Sequence, residues 1–335
     1  MRLLLFALRR VAWLAPTLLG VVALTFAISH VIPADPASLL AGEMASPEQI
    51  ARVRAEHGLD QPASVQFVRY LGRIARGDLG RSLYTTRDIS FDLVRRLPAT
   101  LELTLAAMVV TVALGIPIGV LSALRRNSLL DHAVRGATIA GLAIAAFWMG
   151  IMLQLLFAMT LGWTPLGGRL TGFPPRTITH LYVLDALLTG DWSALGSALN
   201  HLALPALTLG IPAMATVVRF TRAGVLDVIN SPYVLYQRAM GVPASVVVWK
   251  YVLRNAAIST ITQLGLVFGV LLAGSVVVET VFDWPGLGLW AVNSIVMSDY
   301  NAIMAFTLWV AVVYIAINFL VDVLHLLVDP RESAA

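Results

Sequence analysis

The sequence contains no cysteine among its 335 residues. Disulfide bonds, thiolate metal sites and cysteine nucleophiles are therefore excluded. Its six histidines are not paired at the helical spacing of metal ligands. The chain also has no Gly-x-Ser-x-Gly motif, which excludes a serine hydrolase of that type. We therefore predict no catalytic residue, no metal site and no cofactor bound by this chain, and we do not expect it to be an enzyme.

Lysine is nearly absent as well, since Lys250 is the only one in the sequence. The phosphate-binding loop of many ATPases ends in Gly-Lys-Ser/Thr, because the lysine neutralises the phosphates. Lys250 instead lies between Trp249 and Tyr251. The chain therefore has no such ATP site, and any ATP-driven process requires a separate nucleotide-binding subunit.

Charged residues make up only 13% of the sequence, whereas 58% are hydrophobic and the mean hydropathy is +0.81. Soluble domains of this size do not have this balance, and apolar runs of about 20 residues are typical of membrane-spanning helices. The sequence predicts an all-α polytopic membrane protein with six transmembrane helices. The predicted spans are Trp13–Ile32, Ala99–Leu124, Ala137–Leu161, Leu202–Val218, Ala257–Val281 and Ala302–Leu324.

Arginines indicate how these spans are oriented. The net charge is +4, and positively charged loops that remain in the cytoplasm explain it better than nucleic-acid binding does. With the N-terminus inside, the Arg125-Arg126 turn and the basic loop between spans four and five face the cytoplasm. The long polar segment Pro33–Pro98 is predicted outside, because long loops follow the charge rule weakly. Both termini are therefore expected in the cytoplasm.

The polar, basic stretch Arg219–Asn255 lies between two apolar spans. Ser231 is placed to cap a short helix, and Pro232 fits the first turn of that helix, where a missing N–H costs nothing. Gly241 is expected to end the helix in the left-handed conformation, and Pro243 then opens a second helix. The residues alone predict an ordered helix–break–helix, which is either a well-folded loop or a docking element for a partner.

Few polar side chains lie within the predicted spans, and such groups are candidates for function. Glu102 and Glu279 lie near the outer ends of their spans, where pairing with local groups is the simpler explanation. Gln154 and Gln263 lie deeper, where they either line a polar path or bond between helices. A Pro-Gly segment after span five predicts a tight turn or a re-entrant one. The candidate gate or pathway residues are Glu102, Gln154, Gln263, Glu279, Pro285, Gly286 and Gly288.

A series of motifs resembles the permease subunits of binding-protein-dependent ABC importers, in the dipeptide/oligopeptide/nickel branch. YVLYQRAMG at 233–241, followed by LRNA at 253–256, resembles the coupling loop of that family. This chain departs from the usual family pattern at Leu235, Tyr236, Gln237 and Met240. Further matching motifs are GLDQP at 58–62, GDLGRS at 77–82, RLPATLEL at 96–103, HLALPALTL at 201–209 and ETVFDWPGLG at 279–288. The series covers nearly the whole chain and is similar to the subunit type with a long first outer loop.

The resemblance implies the fold of a type I ABC importer permease in the bacterial inner membrane. It implies an N-terminal arm and first transmembrane helix at 1–32, a periplasmic loop with short helices at 33–97, a five-helix core at 98–327 and a cytoplasmic tail at 328–335. The coupling loop within that core spans 219–256. Its implied ATPase-coupling residues are Tyr233, Val234, Arg238, Ala239, Gly241, Pro243, Arg254 and Asn255.

The resemblance also implies a function, namely the translocation-pathway subunit of an ATP-driven importer of di- or oligopeptides that works by alternating access. The expected partners are a homologous second permease, two ATPase subunits that bind ATP and Mg, a periplasmic substrate-binding protein and membrane lipid, but no nucleic acid. Nickel chelates and glutathione remain alternative substrates. An ion-coupled carrier using Glu102, Glu279 and Asp322 is a less favoured reading, because no chain of carboxylates crosses the middle of the membrane.

Overall fold

The computed structural model describes residues 16–27, 36–42, 45–56 and 58–328. Within these ranges the chain is helical and contains no β-strand, apart from an isolated bridge between Arg81 and Asp88. This confirms the helical class for the described residues. The helices are α1 Pro16–Ala27, α2 Pro36–Ala41, α3 Pro47–Glu56, α4 Ala63–Ala75, α5 Ile89–Leu124, α6 Leu129–Ala143, α7 Ala146–Leu153, α8 Tyr182–Thr189, α9 Trp192–Val228, α10 Pro232–Ala239, α11 Ala244–Val246, α12 Leu253–Val281, α13 Leu287–Val296 and α14 Tyr300–Val328.

Four segments within the described ranges are long and apolar enough to cross a membrane: Ile89–Leu124, Trp192–Val228, Gln263–Val281 and Tyr300–Ile317. They agree with predicted spans two, four, five and six. The helices α5 and α9 contain 36 and 37 residues, well beyond the roughly 20 residues that a bilayer requires. The sequence prediction made both too short, because it stopped at polar residues that the helices continue through.

The third predicted span, Ala137–Leu161, is not one straight helix. The helix α6 and the segment Ala146–Thr160 are each too short to cross a membrane alone, and only together are they long and apolar enough. They are bent by 105° at the break between them. The second half changes from α7 to a π-helix at Gln154–Thr160. The bent pair would raise the number of spans among the described residues to five.

Only part of the first predicted span, Trp13–Ile32, falls within the described residues. That part is the apolar helix α1, and the rest of the span lies outside them. The count of six spans therefore stays a prediction. The C-terminal tail at 328–335, apart from Val328, also lies outside the described residues, as does the side chain of Asp322.

The described residues form two compact units. The first unit is drawn from Met1–Leu97 and Trp290–Ile315, and the second from Pro98–Leu289 and Ala316–Ala335. In the first unit, Val22, Tyr70 and Met304 form a small buried cluster. Buried Asp299 accepts a hydrogen bond from the hydroxyl of Ser82 and so ties the loop before α5 to the start of α14.

The second unit has a core shared by α5, α9 and α12, which meet at Leu103, Val217 and Leu271 among others. Lipid is as apolar as leucine, so close packing rather than exclusion from water holds such helices together. The glycine at 119 permits that packing, because a Cβ there would lie 2.9 Å from the carbonyl oxygen of Val218 on α9. The helices α5 and α9 are therefore in backbone contact near the end that leads to α10.

Candidate functional site

The predicted coupling loop Arg219–Asn255 is shorter and more helical than the sequence indicated. The helix α9 continues to Val228, and the chain is helical again from Ala244, through a π-helical segment Val247–Val252, into α12. The second helix that Pro243 opens is therefore present but is not a short one, because it extends directly into span five. Only α10, at Pro232–Ala239, is a separate short helix.

The end of α10 is fixed by Gly241, as predicted. Gly241 has a φ of +74°, and its N–H donates to the carbonyl of Arg238 (3.0 Å). The N–H of Val242 donates to the carbonyl of Gln237 (3.2 Å). This pair of bonds is the Schellman motif, which satisfies the last carbonyls of a helix and needs a left-handed residue. Pro243 then precedes α11, as expected.

The start of α10 differs from the prediction in one detail. Ser231 occupies the N-cap position and Pro232 follows in the first turn, but the serine side chain makes no capping hydrogen bond. Its hydroxyl is buried and without a partner among the described residues. The carbonyl of Ser231 instead accepts the N–H groups of Val234 and Leu235 (3.0 and 3.1 Å). Backbone bonds and the proline thus start this helix.

Val234 holds α10 against the ends of the long helices. Its side chain is fully buried in a cluster with Val120 of α5, Val225 of α9 and Val252 near the start of α12. A short isolated helix of eight residues has little stability in water, so this contact supplies the support that α10 needs. The helix is therefore attached to three elements of the second unit by one apolar side chain.

The opposite face of α10 is exposed and largely apolar. Tyr233, Leu235, Tyr236 and Met240 are exposed by 41% to 65% of their surface. Exposed contiguous apolar surface of this kind commonly marks a contact site for another protein. The other predicted coupling residues Arg238, Ala239, Pro243, Arg254 and Asn255 are exposed, and Asn255 donates a hydrogen bond to the carbonyl of Tyr251 (2.8 Å).

One arginine of the loop is not available to a partner. Arg222 lies on α9 and forms a paired hydrogen bond with Asp131 of α6. In the sequence, Arg222 is one of the basic residues of the stretch Arg219–Asn255, and Asp131 was not singled out. The signal for Asp131 was its place in the first turn of α6, after the N-cap residue Ser128. Its partner could not be foreseen, because the two residues are 91 positions apart.

The other end of the second unit, where α12 ends and α13 begins, is organised by Glu279. Its carboxylate is fully buried and accepts the hydroxyl of Thr100 (2.7 Å) and the N–H groups of Gly288 and Leu289 (2.6 and 3.1 Å). The two N–H groups belong to the first turn of α13, where a helix leaves donors unsatisfied and attracts negative charge. Glu279 therefore caps α13 from a neighbouring helix.

The predicted turn after span five is present, and its glycines are required by close packing against Glu279 and Val276. A Cβ on Gly286 would lie 2.5 Å from the carboxyl carbon of Glu279, and one on Gly288 would lie 2.4 Å from the Cα of Val276. Pro285 lies in the same connection, in the chain between α12 and α13. The described contacts give these residues a role in building the turn, and their role in gating stays a prediction.

Glu102 also has a partner that the sequence did not reveal. Arg169 donates from Nε and Nη2 to one oxygen of Glu102 (2.9 and 2.6 Å), and both side chains are buried. The guanidinium also lies 3.8 Å from the ring centre of Tyr182. The second oxygen of Glu102 accepts the N–H of Val183 (2.7 Å). Glu102 is therefore a locally paired carboxylate in this structure and not a free one.

The loop that carries Arg169 is held by a second buried carboxylate, Asp185. Burial raises the pKa of this carboxyl, but hydrogen bonds from Thr179 and from the backbone N–H groups of Ile178 and His180 outweigh it and hold the pKa below its usual value. These bonds fix the segment that leads into α8. Arg169 is thus presented to Glu102 by an ordered loop.

Gln154 bonds between helices, one of the two roles considered for it. Its side-chain amide donates to the carbonyls of Leu166 (2.6 Å) and Val281 (3.1 Å). It therefore joins the π-helical end of the bent pair to the end of α12. Gln263 is half-buried on α12, and its role in the pathway stays a prediction.

The chain matches two family models that together cover almost all of it. Residues 115–334 match the family described as "Binding-protein-dependent transport system inner membrane component", and residues 3–104 match the N-terminal family of the same transport systems. A solved structure of the MetNI methionine ABC transporter, in inward-facing conformations, superposes with a TM-score of 0.55 at 18% identity. The match covers 72% of this chain and 97% of that one. This likeness shows the fold.

Curated relatives are much more similar in sequence. The "Probable D,D-dipeptide transport system permease protein DdpB" of Escherichia coli K12 is 45% identical, over 97% of this chain and 96% of the relative. The "Di/tripeptide transport system permease protein DppB" of Pseudomonas aeruginosa is 41% identical, over 97% and 98%. The "Glutathione transport system permease protein GsiC" of Salmonella paratyphi A is 39% identical, over 97% of each. The chain therefore belongs to the family of ABC importer permeases that serve binding-protein-dependent transport, in its dipeptide and oligopeptide branch.

Proposed function

We propose that this chain is the translocation-pathway subunit of an ATP-driven importer that moves di- and oligopeptides across the bacterial inner membrane by alternating access. Relatives named for dipeptide and di/tripeptide transport, at 45% and 41% identity over nearly the whole chain, support this substrate class. The observation that carries the mechanism is α10, a short helix fixed on one face and exposed and apolar on the other.

The proposed topology has six spans, with both termini and α10 in the cytoplasm. The arginine distribution supports this orientation, since the segment that contains α10 is basic and the long first loop is nearly neutral. The Glu279 turn and the loop of Arg169 then lie at the periplasmic end. There the proposed periplasmic binding protein docks and releases its solute.

The energy source is proposed to be two separate ATPase subunits, which bind ATP and Mg and contact α10 of this chain and its counterpart on a homologous second permease. The absence of a P-loop in the sequence supports this division of labour. Only a contact whose free energy differs between two states can drive a transition. The rigid ends of α10, set by Pro232 and Gly241, suit a helix that transmits force without melting.

Glutathione is the second substrate to consider, because a glutathione transport permease is 39% identical over 97% of this chain. Glutathione is itself a small peptide, so the same kind of pathway could serve both. The sequence resemblance also leaves nickel chelates open. The choice among these depends on the binding protein as much as on the permease, so it requires a transport measurement.

The proposal is tested by purifying the tagged chain from its native membrane in mild detergent and identifying co-purified proteins by mass spectrometry. We expect a second permease and one or two P-loop ATPases. The purified assembly is then placed in vesicles with the binding protein, and uptake of labelled dialanine is measured with and without competing glutathione or nickel chelate. A chain that purifies alone and still transports solute would refute the proposed function.

A further inference from the structure

The ion pair between Asp131 and Arg222 joins three helices at the α10 end of the second unit. Asp131, in the first turn of α6, is fully buried. Arg222 of α9 donates from Nε to its Oδ1 (2.8 Å) and from Nη2 to its Oδ2 (2.9 Å). The hydroxyl of Ser122 on α5 donates to Oδ1 (2.6 Å). One carboxylate is thus shared by α5, α6 and α9.

The same carboxylate fixes the turn between α5 and α6. The N–H of Asn127 donates to Oδ2 of Asp131 (3.0 Å), and Asn127 itself has a left-handed φ of +63°. The N–H of Asp131 donates in return to the hydroxyl of Ser128, the N-cap residue of α6 (3.3 Å). Both carboxylate oxygens therefore have two donors each. A buried polar network that is fully satisfied in this way specifies one arrangement of its elements.

Stability alone does not explain this pair. A buried ion pair can often be replaced by apolar side chains without loss of stability, because removing two charges from water is costly. The helices α5 and α9 are already in contact near the pair, where Gly119 packs against Thr221. An arginine fork on a carboxylate instead fixes relative orientation, because its two parallel hydrogen bonds form in one geometry.

The pair also lies close to the support of α10. Arg222 and Val225 are three residues apart on α9 and are therefore neighbours on its surface. Val225 is fully buried in the cluster that holds Val234 of α10. The apolar cluster that contains Val225 and Val234, together with the paired hydrogen bond of Arg222, therefore forms a continuous set of contacts from α10 to α6. Coupling between sites is carried by contiguous contacts of this kind.

We propose that Asp131 is a positioning residue for transport. Through Arg222 it holds the α10 ends of α6 and α9 as one rigid body, so that a movement of α10 is passed to the membrane helices rather than absorbed at the end of α9. The proposal rests on the proposed function, because it requires an ATPase that acts on α10. Asp131 acts through Arg222 and does not contact the transported solute.

The first test measures the rigid body directly in the complete complex. Because the chain has no cysteine, Leu129→Cys on α6 and Asp227→Cys on α9 can carry two spin labels, and both positions are exposed. We expect one narrow distance distribution that is the same without nucleotide and with trapped ATP and vanadate. In the Asp131→Asn variant we expect the distance distribution to be broader, or to differ between the complex without nucleotide and the complex with trapped ATP and vanadate. A nucleotide-dependent distance in the unsubstituted pair, or no change in Asp131→Asn, would overturn the proposal.

A matched control is available on the same helix. Arg135 approaches the same carboxylate only to 3.8 Å, and its side chain is 46% exposed against 20% for Arg222. Arg135→Gln should therefore leave the distance distribution unchanged, because a long and exposed pair contributes little. A broadening in Arg135→Gln equal to that in Asp131→Asn would show that general charge loss, and not the Arg222 pair, controls the geometry, and it would contradict the proposal.

The second test measures coupling in vesicles that contain the complex and the binding protein. Labelled dialanine transported per ATP hydrolysed should fall about fivefold in Asp131→Asn, within the range for substitutions that alter coupling, and should be unchanged in Arg135→Gln. A merely structural role would lower the amount of assembled complex and leave this ratio unchanged, which would refute the proposal. If Asp131→Asn does not assemble, Arg222→Lys keeps the charge but loses the fork, and it is judged by the same ratio.

The two tests separate this proposal from the function on which it rests. Unsubstituted complex that hydrolyses ATP without transporting dialanine would refute the proposed substrate, while the distance measurement would still decide the role of Asp131. A chain with no associated ATPase would refute the proposed function itself, and the positioning role with it.

Discussion

The two ends of the second unit each contain a buried carboxylate, but they hold it in different ways. Asp131, at the α10 end, is paired with Arg222 from a helix 91 residues further along the chain. Glu279, at the α13 end, accepts hydrogen bonds from neutral donors, among them the Thr100 hydroxyl and two backbone N–H groups of α13. Both carboxylates are fully buried.

This difference indicates two different mechanical roles. Backbone N–H groups and adjacent glycines form a turn of one fixed shape, because the donors cannot move without unwinding the first turn of α13. A side-chain fork joins separate helices and holds them in one relative orientation. The α13 end is therefore built as a fixed turn, and the α10 end as a joint between helices.

The largest loss of stability is expected from Gly288→Ala, which breaks the fixed turn. The new Cβ would lie 2.4 Å from the Cα of Val276, a backbone atom that cannot rotate away. Overpacking of this severity costs about 3 kcal/mol. The apparent melting temperature of the complex in detergent and its yield should both fall. Gly196→Ala on α9 is the control, since nothing lies within 4 Å of a Cβ at that position. Equal melting temperatures of the Gly288→Ala and Gly196→Ala complexes would contradict the predicted clash.

A smaller loss is expected from Glu279→Gln, which removes the charge and keeps the shape. Its new NH₂ group must face either the Thr100 hydroxyl or the N–H groups of α13. All of these are donors here, because the Thr100 oxygen already accepts the N–H of Leu287 (2.8 Å). Losing a charge-assisted bond of this kind costs about 2 kcal/mol. Thermal unfolding of the complex measures this loss of stability. The control is Glu48→Gln at an exposed site on α3, which should leave the melting temperature unchanged. Equal melting of both variants would show that α13 does not need the carboxylate.

At the α10 end, Gly241→Val should abolish uptake while the chain still inserts into the membrane. Gly241 has a φ of +74°, and a left-handed conformation costs a β-branched residue about 1–2 kcal/mol. A Cβ at position 241 has nothing within 4 Å, so the substitution strains the backbone at the end of α10 and creates no clash elsewhere. Uptake in whole cells and the membrane level of the chain are the two readouts. Gly241→Asn is the matched control, since asparagine tolerates this conformation. Normal uptake in Gly241→Val would refute the role assigned to this glycine.

The smallest effect is expected from Arg169→Lys, which tests the ion pair near the α13 end. The lysine keeps a charge for Glu102 but loses the hydrogen bond from Nη2 to the His180 carbonyl (2.8 Å) and the stacking on Tyr182. The stacking alone contributes about 1 kcal/mol. A fall in melting temperature smaller than that of Glu279→Gln is expected, with exposed Arg176→Lys as control. A larger fall would mean that this pair, and not the Glu279 turn, organises the α13 end.

The local features of the α10 end could be predicted from the sequence. Pro232 and Gly241 mark the start and end of α10, because each residue has a backbone preference that acts within a few positions. The turn after α12 was predicted from Pro285 and Gly286 for the same reason. Long helices were underestimated, since hydropathy detects the apolar part of α9 and not the polar turns that continue it.

The pairing of distant side chains could not be predicted. Glu102 and Arg169 are 67 residues apart, and nothing in the segment around either residue indicates the other as its partner. The requirement for glycine at 288 depends on Val276 of another helix. The turn could therefore be predicted from the sequence, but the contact that requires a glycine in it could not. The bend of 105° in the third span also has no strong local signal, because the sequence on both sides is apolar.

The proposed contact between α10 and an ATPase can be tested by site-specific cross-linking. Tyr236→Cys lies on the exposed face of α10, and Trp192→Cys is an exposed control position at the α13 end; the chain has no other cysteine. With a short bifunctional reagent in native membranes, we predict a product joining Tyr236→Cys to a P-loop ATPase and none from Trp192→Cys. Cross-linking of the ATPase from Trp192→Cys, with none from Tyr236→Cys, would contradict the account.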